Sequence, residues 1–112
     1  MASIDELWIV DFGDPFPGEP GHHRPALILG PPESFGPDFP FVIVCPLTTT
    51  RRGLSLHVEV EPSETTGLDV MSYVQCELLR SINGRRLVHR LGTVDPATSR
   101  HVESIVTTLL NH

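Results

Sequence analysis

The sequence contains no lysine: all eight of its basic residues are arginine, and fourteen acids outnumber them for a formal net charge of −6. A chain with that balance is not a generic nucleic-acid binder, which would be basic throughout. No apolar run approaches the roughly 20 residues a membrane-spanning helix needs, which argues against a place in the membrane. The first residues, MASIDELW, carry two acids and no basic stretch, so they lack the charge pattern of a secretory signal. Cysteine is scarce. Cys45 and Cys76 stand in apolar stretches with no CxxC between them, and read as buried free thiols in a reducing compartment. The six histidines form no HExxH and no paired Cys/His spacing, so no metal or other cofactor is expected. GxSxG, GxxxxGK[ST] and GxGxxG are all missing, which removes the signatures of serine hydrolases, P-loop enzymes and dinucleotide binders.

What is present is a folded protein. The 112 residues, 39% of them hydrophobic, suit one domain spanning 1–112, expected in the cytoplasm. Charge is unevenly spread: residues 1–50 hold seven acids and only Arg24, whereas residues 51–100 hold six acids and seven arginines. The arginines cluster at 51–52 and 80–90, and a local basic groove is compatible with an acidic whole.

Strand signals dominate the first two thirds. ELWIVDF (6–12), PALILG (25–30) and FVIVCPL (41–47) are apolar runs separated by Pro/Gly loops. Leu54–Val60 alternates apolar and polar residues around His57 and Glu59, as a half-buried strand should. Two more extended segments are expected at Ser72–Cys76 and Leu87–Val94, joined through a turn at Asn83-Gly84. Asp95-Pro96 then offers an N-cap followed by proline at the first helical position, and Val102, Ile105, Val106, Leu109 and Leu110 lie on one helical face. Five or six short strands before one C-terminal amphipathic helix predict a mainly β fold, a curled antiparallel barrel with a packed helix.

Register gives one geometric expectation. If the second and third runs form an antiparallel hairpin centred near Gly36, paired residues sum to 72, which sets Arg24 opposite Thr48. Glu19, His22, His23 and Arg24 on one loop then face Thr48, Thr49, Thr50, Arg51 and Arg52 on another. Arginine grips phosphate through a planar fork of donors, and threonine hydroxyls add neutral ones. RNA brings its own nucleophile, the 2′-hydroxyl, so cleavage needs only positioning, proton transfer and charge stabilisation. Phosphate chemistry is one reading of these residues among several. Arg24 pairing with a loop carboxylate such as Glu19, Thr48 closing a turn, and Arg51 and Arg52 as solvated turn residues are the structural alternatives.

The residues also resemble a known family. Leu7-Trp8-Ile9-Val10-Asp11-Phe12, Gly18-Glu19, Gly21-His22-His23-Arg24-Pro25-Ala26-Leu27 and Cys45-Pro46-Leu47-Thr48-Thr49-Thr50 look like the MazF/PemK toxins of toxin–antitoxin modules. Arg52-Gly53, Gly67-Leu68, Ser72-Tyr73-Val74 and Leu91-Gly92-Thr93-Val94 extend the likeness to about residues 5–110. The resemblance implies an SH3-like barrel of the CcdB/PemK type that forms a homodimer. It implies a metal-independent endoribonuclease that cuts single-stranded RNA to 2′,3′-cyclic phosphate and 5′-hydroxyl ends, and a cognate antitoxin as partner. Carried over residue by residue, it makes Arg24 and Thr48 catalytic. Glu19 and His23 then orient Arg24 or the RNA, with Thr49, Arg51 and Arg52 as further RNA contacts. Two departures stand out: Glu19-Pro20 replaces the family's frequent Glu-Gln, and prolines 15, 17 and 20 stiffen that loop. A toxin of the same fold that binds a topoisomerase without cleaving RNA, or an SH3-like interaction module, are the alternatives. Neither needs Arg24 and Thr48 aligned.

Overall fold

A computed structural model describes residues 2–18, 21–36 and 38–112 of the chain. Seven strands precede one helix: β1 (Glu6–Asp11), β2 (His23–Gly30), β3 (Phe41–Thr48), β4 (His57–Val60), β5 (Ser72–Gln75), β6 (Arg80–Asn83), β7 (Leu87–Thr93) and α1 (Pro96–Leu109). All pairings are antiparallel, in the order β4-β5-β3-β2-β1-β7, with β6 beside the first half of β3. The expected barrel is a curled sheet: among the described residues its end strands, β4 and β7, are not hydrogen-bonded to each other.

The unbroken apolar runs in β2 and β3 have a simple cause. Successive side chains of a strand point to opposite faces, so a strand buried on both faces is apolar at every position. Leu27, Cys45 and Leu47 join Leu7, Val58, Val74 and Val102 in one core, while Ala26, Ile28, Val42 and Val44 join Val10, Phe12 and Ile82 in the other. Leu27 is fully buried, and truncating it to alanine would cost about 2–5 kcal/mol. The first core also receives Ile105 and Val106 of α1. Leu109 and Leu110, at the end of the same stripe, stay exposed. The helix begins as its sequence predicts: the Asp95 side chain accepts from the Thr98 backbone N–H at 2.7 Å, with proline in the first turn.

Two expectations are corrected. Extended structure begins at His57 rather than Leu54, because residues 51–56 turn into the strand through a His57 N–H bond to Leu54 O. The segment expected to be only a turn contains β6, whose ladder pairs Ile82 with Val42 and Ser81 with Ile43. Ile82 is its one buried residue, so the strand left no apolar run to detect. Asn83 then opens a short 3-10 turn over Gly84–Arg86, its side chain accepting from the Arg85 N–H, in place of a two-residue hairpin.

Packing between loop and sheet is closest where Thr65–Leu68 crosses β7. The Thr93 N–H bonds Thr65 O at 2.9 Å, and a side chain on Gly92 would collide with the backbone of Thr65 and Thr66. Gly67 meets Leu91 just as closely, and its φ of +72° is one glycine tolerates and other residues resist. No helix among the described residues is long and apolar enough to cross a membrane.

Candidate active site

The β2–β3 ladder pairs Ala26 with Pro46, Leu27 with Cys45 and Ile28 with Val44, every pair summing to 72 as the sequence predicted. The ladder ends at Ala26–Pro46; the same register carried two residues further would set Arg24 beside Thr48. Past Ile28 a bulge shifts the register, so Gly30 meets Ile43. That irregularity lies at the far end of the hairpin from Arg24. Arg24 also lies opposite Val10 of β1, and Thr48 opposite Tyr73 of β5. Both are half-buried, and neither has a salt-bridge partner among the described residues. Thr48 Oγ1 accepts the Thr50 N–H at 3.2 Å, which closes the strand-end turn and leaves the hydroxyl proton free to be donated.

The other residues expected at the site divide. His23 precedes Arg24 and so points to the opposite sheet face, where its Nε2 lies 3.7 Å from Asp11 Oδ2, beyond hydrogen-bond range. His22 has a left-handed φ of 53° and ties the base of its loop: its N–H donates to Gly13 O at 2.7 Å and its carbonyl accepts from the Phe12 N–H at 2.8 Å. Glu19 lies outside the described residues. Thr49 is exposed, one residue past the end of β3.

The arginines divide too. Arg80 covers the Phe12 ring at 5.6 Å, Arg86 Nη1 donates to Asp11 O at 3.2 Å, and Arg90 Nε donates to Glu6 Oε2 at 2.7 Å. Three of the arginines between positions 80 and 90 are therefore held by the fold. Arg51 and Arg52 are different: exposed and without salt-bridge partners among the described residues, they line a cleft of about 310 Å³. A larger cavity of about 540 Å³ carries Glu59, Glu61 and Asp95 and no cation, which is the wrong charge for a polyanion.

Three residues of the smaller cleft were not recognised from sequence as a group: His57, Glu59 and Tyr73. The Thr48–Tyr73 and Glu59–Tyr73 ladder pairs put one residue from each of three strands in a row on one sheet face. His57 forms the buried wall, its Nε2 2.8 Å from Glu77 Oε2. The alternation around His57 and Glu59 marked a strand face; only the pairing with β5 shows what that face adjoins.

Over residues 5–110 the chain matches the family model described as the PemK-like, MazF-like toxin of type II toxin–antitoxin systems. The protein belongs to this family. Its fold is shared with solved members. MazF from Deinococcus radiodurans superposes with a TM-score of 0.85 at 23% identity, covering 99% of this chain and 97% of that one. The Mycobacterium tuberculosis toxin MazF-mt6 gives 0.75 at 25% identity over 95% and 96% of the two chains. An endoribonuclease from a mycobacterial species, solved in complex with its cognate antitoxin, gives 0.78 at 23% identity over 99% and 96%. In this MazF-like chain the two residues that the family resemblance singled out, Arg24 and Thr48, lie at matching positions two residues beyond the last pair of the central hairpin's ladder.

Proposed function

We propose that this MazF-like toxin is a sequence-specific, metal-independent endoribonuclease of a type II toxin–antitoxin system, acting in the cytoplasm on single-stranded RNA. The observation that supports it most is the β2–β3 register, whose sum of 72, carried two residues beyond the Ala26–Pro46 pair, aligns Arg24, without a salt-bridge partner among the described residues, with Thr48. A permanently charged fork and a free hydroxyl proton on one face suit a scissile phosphate. The substrate's 2′-oxygen bonds to phosphorus as the bond to the 5′-oxygen breaks, one proton leaving the 2′-hydroxyl and one reaching the 5′-oxygen. The products carry a 2′,3′-cyclic phosphate and a 5′-hydroxyl. Arg24 holds the phosphate and offsets the charge that builds on it in the pentacovalent state, while Thr48 donates to a non-bridging oxygen. Arg51 and Arg52, on the next loop, hold flanking phosphates. Cleavage of messages inhibits translation and growth, and a cognate antitoxin on a homodimer of the toxin restrains it.

The test is incubation of purified protein with a long mixed-sequence RNA in EDTA, mapping the cut ends, beside Arg24→Ala and Thr48→Ala. Discrete cuts with cyclic-phosphate ends, reduced at least a hundredfold in both variants, are expected. Absence of cutting by folded wild-type protein would overturn the reading in favour of a toxin that acts by binding a protein target.

A further inference from the structure

The cleft beside Thr48 holds more chemistry than phosphate binding uses. Tyr73, the chain's only tyrosine, lies directly across from Thr48 on one side and from Glu59 on the other. Ladder partners share a sheet face, and strands lie about 4.8 Å apart, so Glu59 stands roughly 10 Å from Thr48 across the row. Arg51 and Arg52 border the same cleft, whose volume of about 310 Å³ is at the small end of ligand sites. The side chains of Tyr73 and Glu59 make no hydrogen bond or salt bridge among the described residues.

A free carboxylate on a surface meant for a polyanion is repulsive unless it accepts hydrogen bonds from the ligand. Bases differ in what they offer it. Guanine presents N1–H and N2–H side by side, two donors for the two carboxylate oxygens. Adenine and cytosine present one amino group next to a ring acceptor, which would face the second oxygen in repulsion. Uracil flanks its single N3–H with two carbonyls. A tyrosine ring, by contrast, stacks any base.

We propose that this cleft is the base-reading pocket of the enzyme: Tyr73 stacks a nucleobase next to the scissile phosphate, and Glu59 selects guanine by accepting from N1–H and N2–H. The inference rests on the ribonuclease reading and names the base it prefers. His57, its ring buried and its Nε2 bonded to Glu77, gives the pocket a fixed wall. Arg51 and Arg52, on the same cleft, hold phosphates beyond the scissile one.

Four 2′-O-methyl pentanucleotides, UUNUU with N as G, A, C or U, test this, because they lack the nucleophile and stay intact. Fluorescence anisotropy of labelled oligonucleotides is read for the wild type, Glu59→Gln, Tyr73→Phe and Tyr73→Ala, beside the cut-site map of the wild type on long RNA. The G-containing oligonucleotide should bind about tenfold tighter than the other three. Glu59→Gln should erase that preference, and Tyr73→Ala should weaken all four about tenfold while Tyr73→Phe does not. Equal binding of all four by the wild type, or a guanine preference that survives Glu59→Gln, overturns the proposal even if the long RNA is cut. A guanine preference that depends on Glu59 without any cutting keeps the pocket and overturns the ribonuclease. Loss of oligonucleotide binding and cutting together overturns both. Should Tyr73→Ala not fold, Glu59→Gln at an exposed position decides alone.

Discussion

His57 and Glu77 meet at 2.8 Å through Nε2 and Oε2, with the imidazole only 3% exposed. A carboxylate only accepts, so Nε2 carries the proton of this contact, and Nδ1 is buried without a hydrogen-bond partner among the described residues. Across the ladder, Gln75 likewise has a buried, unpartnered Oε1. The contact ties the start of β4 to the short turn after β5, and so holds one wall of the cleft. Glu77→Ala would strand the buried N–H and should cost about 1–3 kcal/mol in urea unfolding. Glu77→Gln, which keeps an acceptor, should cost less. Equal stability of the alanine variant and wild type would show that the bond carries no net weight.

Gly92→Ala should destabilise the fold by about 1–3 kcal/mol, because its Cβ meets backbone that cannot swing aside. Gly84→Ala is the control: there a Cβ would lie 3.6 Å from Pro40 O, an ordinary contact. Chemical denaturation of both variants reads the difference. A Gly92→Ala protein as stable as Gly84→Ala would mean that the Thr65–Leu68 loop can move off β7.

The two thiols should be inert in the native protein. Burial, with the neighbouring Cys76 and Glu77 adding to it, pushes the Cys45 thiol up to about 12. Burial and Glu77 push Cys76 up to about 11. At pH 8 both are thiols rather than the reactive thiolates. A colorimetric disulfide reagent should label neither in the folded state and both after unfolding in urea. Rapid labelling of native protein would contradict this.

Acid should weaken the fold partly through Glu6. Burial works to raise its pKa, but bonds from the Trp8 indole, the Ser3 N–H and Arg90 outweigh that and hold the carboxyl below its ordinary 4.5. A group lowered on folding contributes stability above its unfolded value, and that contribution disappears as pH falls through the folded one. Wild-type unfolding midpoints should therefore drop below about pH 4.5, whereas Glu6→Gln should start lower at pH 7 and lose less between pH 5 and 3. Parallel slopes for the two proteins would remove Glu6 from the acid response.

The limits of the sequence follow from what kind of information it holds. Side-chain alternation is local. It was therefore legible that β1, β2, β3 and β7 are strands and that Asp95 caps a helix, and the β2–β3 hairpin sum of 72 followed from loop position alone. β6 was not legible, because one buried residue, Ile82, leaves no pattern to read. The end of the helical stripe shows a related limit: period shows which side of α1 is apolar, not whether anything covers Leu109 and Leu110.

Which strands become neighbours is decided by how faces pack, over separations the local pattern does not encode. Only the tertiary structure put Tyr73 between Thr48 and Glu59, and brought Glu77 to His57. It alone sorted the arginines, engaging Arg80, Arg86 and Arg90 in the fold and leaving Arg51 and Arg52 on the cleft. A charged side chain reads the same in a sequence whether it is held by the fold or open to a ligand. Its use depends on the groups around it, and those are set when the sheet curls.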